Sequence, residues 1–263
     1  LPTWSYPVGT LGEAWSPHAI ILPYIEQANL QNLIDFKLSY AVQPQVTLHR
    51  TAIYLCPVEQ NDRERLDGAL THYPVSYAFN MGSWFVYNPV TRQGGDGSFP
   101  VNGRVKLTDI LDGTSNTVGV SEVKAFTPYL RDGGVPAALG APPPATPEEV
   151  AGYGGSFKMD SGHTEWVDAR IHQTGFTTTF SPNTLVPYSS GGIVYDIDFN
   201  SSREGKTLNQ ITYAVVTSRS YHTSGIVNVS LMDGSCRSVA KSISPALWRA
   251  LGTRAGSEVA NFD

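Results

Sequence analysis

The sequence predicts an α+β fold, with antiparallel sheet packed on an N-terminal helix and large loop insertions. Three observations lead there. Short apolar runs bounded by turn residues recur along the chain, as strands do. Helical spacing shows only near the two ends. Long helices do not alternate with the strands, which argues against a parallel α/β sheet. The chain has 263 residues, enough for one large domain or two small ones. A single domain over 1–263 is expected, because no second self-contained pattern follows the one Gly/Pro-rich stretch.

The helix comes first. In "SPHAIILPYIEQANLQNLIDF" (16–36), Ser16 suits an N-cap and Pro17 the first helical position. Ile21, Leu22, Ile25, Leu33 and Ile34 recur near helical spacing. Pro23 lies inside the run, where it kinks the start or moves it later. "TAIYLC" (51–56) reads as a strand ending at Pro57. "VSYAFNMGSWFVY" (75–87) reads as a strand broken near Gly82. In "LTDILDGTSNTVGVSE" (107–122), Thr108 caps one helical turn, Asp112-Gly113 breaks it, and a strand returns. Residues 132–155 are dominated by Gly and Pro and read as a flexible surface excursion. With 88–103 they are the loops expected to be presented outward. Aromatic and Thr-rich strands fill 163–200, and another covers 213–222. In "YHTSGIVNVSLMDGSCRSVA" (221–240), Ile226, Val227, Val229 and Leu231 suit a buried strand. Asp233-Gly234 suits the hairpin turn after it. "SPALWRALG" (244–252) closes the series as a short helix, with Ser244 as cap, Pro245 first and Gly252 last.

Composition limits the function. Net charge is −5, from 18 basic and 23 acidic residues without a basic block, so a nucleic-acid footprint is not expected. No apolar run approaches the roughly 18 residues that span a bilayer. Charged residues are 16%, below the usual ~25%, and Ser, Thr, Asn, Gln, Gly and Tyr fill the polar quota, as on secreted β-rich proteins. The chain begins at Leu1, which suggests a trimmed or processed start. Cys56 and Cys236 either pair, closing about 180 residues and contributing about 4–5 kcal/mol on a chain-entropy model, or stay as two buried thiols.

Candidate chemistry is thin. There is no Gly-x-Ser-x-Gly elbow, and Ser156 with His163 is too generic to define a hydrolase. His163, Glu165 and His172 could line one face of a bent strand as metal ligands, against the plainer reading of a hydrogen-bonded face. Calcium prefers several oxygens on irregular loops. Asp196, Asp198, Asp112 and Asn116 are the candidates, and ordinary turn chemistry is the alternative. Trp84, Tyr87 and Trp166 are candidate sugar-stacking faces, if they are not core.

Seven segments then occur in order: "WSPHAIILPYIEQANLQN", "YLCPVEQ", "SYAFNMG", "RVKLTDILDGTSNTVGVSE", "GHTEWVDARIHQTGFTTTFSPNT", "TSRSYHTSGIVNVSLMDGSCRSV" and "WRALGTRAGSE". Together they resemble the pilin-like planctomycete family of uncharacterised proteins with a C-terminal His-x9-Asp-Gly signature. The resemblance implies a pilin-like head related to the pseudopilins of type II secretion, normally preceded by a type IV prepilin leader and a long apolar helix. It implies a non-enzymatic structural protein, extracellular or periplasmic and associated with the cell envelope. Its partners would be sister subunits, met through that helix, which would also be its only membrane contact. No cofactor is implied, and Ca2+ stays as the one candidate ion. A glycan- or ligand-binding module on the same scaffold is the first alternative, and a hydrolase the second. The signature hairpin here comprises His222, Gly225, Asn228, Asp233 and Gly234. It departs from the family by one residue, because ten residues separate His222 from Asp233. Cys236, where the family carries an apolar residue, is expected to face inward.

Overall fold

The structure is a computed structural model that describes residues 14–134 and 140–258. It is α+β. The helices are α1 (Pro17–Ile21), α2 (Ala28–Gln31), α3 (Pro44–Thr47), α4 (Ile171–Thr174) and α5 (Pro245–Gly252). Among the described residues, no helix is long and apolar enough to cross a membrane.

The early strands are β1 (Arg65–Asp67), β2 (Leu70–His72), β3 (Tyr77–Gly82), β4 (Phe85–Asn88) and β5 (Gln93–Gly94). Then come β6 (Val118–Glu122), β7 (Thr127–Arg131), β8 (Ser156–Gly162), β9 (Gly175–Thr177) and β10 (Pro187–Ser190). The last are β11 (Ile193–Asp196), β12 (Asp198–Asn200), β13 (Thr212–Val215), β14 (Ile226–Leu231) and β15 (Cys236–Ala240). A five-stranded sheet has the order β15-β14-β6-β3-β9, and a six-stranded sheet the order β5-β4-β13-β12-β7-β8. β1-β2 and β10-β11 are separate hairpins. The sheets are mixed, because β9 runs parallel to β3 and β12 parallel to β7. Parallel neighbours need long crossovers, and both pairs are joined through long intervening segments.

One core holds Met81, Phe176, Val227, Val229, Leu231 and Trp248 together with Val86 and Ala214, so both sheets contribute to it. β14 buries Val227, Val229 and Leu231 as its sequence predicts, but Ile226, on the other face of the alternation, is only half-buried. At its end Gly234 takes φ +88°, and its N–H donates to the Leu231 carbonyl at 3.0 Å. α5 also follows its sequence: the Ser244 hydroxyl accepts the Leu247 N–H at 3.1 Å, and Trp248 and Leu251 are buried. Arg249 and Arg254 donate to carbonyls of Thr179, Gly95 and Gly97.

Other expectations fail for local reasons. The helix over 16–36 is broken into α1, a 3-10 turn at Leu22–Ile25, and α2. Pro23 lacks the donor an α-helix needs, and Glu26 turns left-handed at φ +62°. Residues 51–56 are not a strand; Ala52–Tyr54 form a 3-10 turn. In 88–103 only 90–93 and Asp96 are outward, because Ser98, Phe99 and Val101 are buried. Part of 132–155 is ordered as a 3-10 helix, Pro147–Tyr153, while 135–139 lie outside the described residues.

Candidate functional site

The hairpin over 221–240 is held at both ends, by different partners. Its start follows a loop fixed by Asn183, whose Oδ1 accepts the Ser220 N–H at 3.0 Å and whose Nδ2 donates to the Gly225 carbonyl at 3.1 Å. Gly225 at φ +68° makes the turn into β14. This aims the His222 ring at Glu122, the last residue of β6. His222 Nε2 lies 3.0 Å from Glu122 Oε1. The other carboxylate oxygen accepts the Asn228 N–H at 2.7 Å, and so extends the β6–β14 pairing by one rung. Cys56 completes the group, with its thiol 3.2 Å from Glu122 Oε1 and 3.9 Å from His222 Nε2. Asn228 Nδ2 is 3.1 Å from the same imidazole nitrogen. Glu122 is buried, and the His222 side chain is 25% exposed. Burial pushes the Cys56 thiol pKa up, whereas a reactive cysteine needs it lowered.

Asp233 does not join this cluster. It sits in the exposed turn at the far end of β14, where its Oδ1 accepts both the N–H and the hydroxyl of Ser235. Those bonds hold its carboxyl below the usual range.

The remaining candidates are placed as follows. Asp196 and Asp198 do face one cation, but it is Arg219. Its guanidinium bonds both Asp196 oxygens at 2.9 Å and contacts Asp198. Asp112 clamps the C-terminal segment by accepting the N–H groups of Gly256 and Ser257, and Asn116 donates to the Asp112 carbonyl. Trp84, Tyr87 and Trp166 are core residues at 4%, 7% and 1% exposure, so none offers a face to a sugar. Cys56 and Cys236 are free thiols. Cys236 is exposed rather than inward, because β15 is the sheet edge and buries only Val239.

His163, Glu165 and His172 diverge. His163 is buried at φ +56°, with Nδ1 2.9 Å from the Gln173 carbonyl and Nε2 3.5 Å from Asp198. His172 stacks on Tyr129 and meets Asn200 at 3.2 Å. Glu165 faces a second feature, a charged cavity of about 150 Å³ ringed by Arg65, Arg131, Arg170 and Arg203. Arg65 bonds Glu165 at 2.5 Å and Gln173 bonds it at 3.1 Å. Burial, aided by Asp168, pushes Glu165 up to about 8 against the pull of Arg65. Burial pulls His72, on the same wall, down to about 4.

Sequence reading found His222 and Asn228, singled out Cys56 only as a possible disulfide partner, and missed Glu122. Glu122 and Cys56 lie 100 and 166 residues from His222, so no spacing pattern joins them. The available signal was Glu122 itself, a carboxylate ending the apolar run "TVGVSE". The cavity arginines are scattered and carry no motif.

A family model described as "Protein of unknown function (DUF1559)" matches residues 1–246. No curated protein and no solved structure matches the chain.

Proposed function

The chain belongs to this family of proteins of unknown function, and on its own geometry we propose a non-enzymatic, pilin- or pseudopilin-like head held outside the cytoplasm on the cell envelope. The supporting observation is where the signature residues go. His222 turns inward to Glu122 before β14, and Asp233 closes a turn after it. The six-residue strand between them separates the two ends by about 20 Å, too far for one reaction centre. Both residues serve the hairpin. Extra length before the strand is therefore tolerated, since loop insertions cost little. Assembly with sister subunits would run through a helix preceding the head, with the head itself presenting its surface. The hydrolase alternative draws no support, because both nitrogens of the buried His163 ring face protein groups.

The test is to tag the head domain in the complete gene product and follow it in the source cell. Surface labelling and cross-links between sister heads are expected. A cytoplasmic monomer would refute the reading.

One observation favours a second reading, a small-ligand module. Four arginines line a cavity shared with only three carboxylates, Asp67, Glu165 and Asp168, and that cationic excess suits a compact anion. About 150 Å³ is well below a drug-sized pocket, so the ligand would be an acidic monosaccharide or simple carboxylate. Calorimetric titration with such acids would show binding that Arg170→Gln weakens; no heat from any of them would dismiss it.

A further inference from the structure

We propose that Cys56, Glu122 and His222 form a Zn2+ site, with Asn228 at the fourth position. Among the described residues these three bring a sulfur, an oxygen and a nitrogen within 4.8 Å of one another. Sγ–Oε1 is 3.2 Å, Oε1–Nε2 is 3.0 Å and Sγ–Nε2 is 3.9 Å. Zinc bonds of about 2.0–2.3 Å give a tetrahedron with edges of about 3.3–3.5 Å. Each observed separation lies within a few tenths of an ångström of that edge.

The pattern of convergence separates a metal site from a nucleophile triad. In a triad the imidazole uses one nitrogen for the nucleophile and the other for its orienting group. Here the thiol, the carboxylate and the Asn228 amide all meet Nε2. Several groups directed at one point suit a central ion. Asn228 Nδ2 stands 3.1 Å from Nε2 and 3.4 Å from Glu122 Oε1, which is the remaining corner. Its other amide atom meets the Ser238 hydroxyl at 2.8 Å. A hydroxyl both donates and accepts, so the amide can turn over and offer its oxygen to the ion.

Charge and ligand softness agree. A thiolate and a carboxylate together neutralise a divalent ion, and a mixed S, N, O set suits zinc over calcium or magnesium. On binding, the Cys56 S–H bond breaks, a Zn–S bond forms, and the proton goes to solvent. Glu122 and neutral His222 donate lone pairs without losing a proton. The site would tie the signature loop, the end of β6 and the 51–58 segment to one another. It is independent of any assembly by the head.

The experiment uses the chain stripped with a chelator, dialysed, then titrated with Co2+ and Zn2+. One equivalent of Co2+ should give a thiolate charge-transfer band and tetrahedral visible bands, and Zn2+ should displace it and raise the Tm. The bands should vanish in Cys56→Ser and persist in Cys236→Ser. His222→Gln, at a partly exposed position, should stay folded and bind Co2+ at least tenfold more weakly. A wild-type chain, folded by circular dichroism, that shows no thiolate–cobalt band overturns the proposal. Bands that survive Cys56→Ser, or equal affinity in His222→Gln, overturn it as well.

Discussion

Replacing Arg219 by methionine removes the cation that Asp196 and Asp198 share. Arg219 is 2% exposed and Asp198 is 2% exposed. The guanidinium also donates to the carbonyls of Ile197 at 3.0 Å and Thr217 at 3.3 Å. Methionine keeps much of the volume but strands the buried Asp198 carboxylate. Removing one partner from a buried ion pair costs about 3–5 kcal/mol, against a total domain stability of about 5–15 kcal/mol. For a chain of this size that is a Tm loss of about 6–20 °C. The pH dependence identifies the cause. Burial alone would raise Asp198, but Arg219 and His163 hold it below the usual carboxylate range. A depressed carboxylate contributes stability above its unfolded pKa, about 4, and loses that contribution as pH falls through the folded value. The deficit of Arg219→Met should therefore be larger near pH 7 and shrink as pH falls toward ~3. Adding Asp198→Asn should recover part of the loss, because no buried charge is then stranded. Urea unfolding followed by circular dichroism measures all three chains. A deficit under about 1 kcal/mol, or one of equal size at pH 3 and pH 7, would refute the reasoning.

Three further outcomes are expected. Burial takes His18 down to about 3, so its folded state refuses a proton that the unfolded chain accepts near pH 6.5. Stability should fall as pH drops below that point, and His18→Gln should remove about 1.4 kcal/mol per pH unit of the slope, read from urea midpoints at pH 5 and 6. A methyl at Gly252 would lie 2.1 Å from Thr178 Oγ1, so Gly252→Ala should cost about 1–3 kcal/mol by overpacking, seen as a lower Tm. In the native chain a maleimide should label exposed Cys236 rapidly and buried Cys56 only on unfolding, as mass spectrometry of the peptides would show.

Much of the local structure was legible from residue chemistry. Ser244, Pro245 and Gly252 bound α5, Asp233-Gly234 turned β14 into β15, and the apolar alternation of β14 named its buried face. These signals act over a few residues, where backbone conformation and capping bonds decide. The same reasoning erred over 16–36, where apolar spacing suggested one helix but Pro23 and Glu26 broke it, leaving Tyr24 85% exposed. Burial of individual aromatics was not legible either. Trp84 and Trp166 have the same chemistry in a core as on a surface, and only packing decides between them.

The sequence by itself determined the α+β class, the terminal helix and the β14–β15 hairpin, because each follows from short-range preferences. Only the tertiary structure decided the parallel pairings of β3 with β9 and β7 with β12, the seat of Arg219 between two aspartates, and the meeting of Cys56, Glu122 and His222. Hydrophobic burial is non-directional, so the composition of a segment does not say which distant segment will cover it. That choice belongs to the whole chain, and it sets which polar groups are left facing one another.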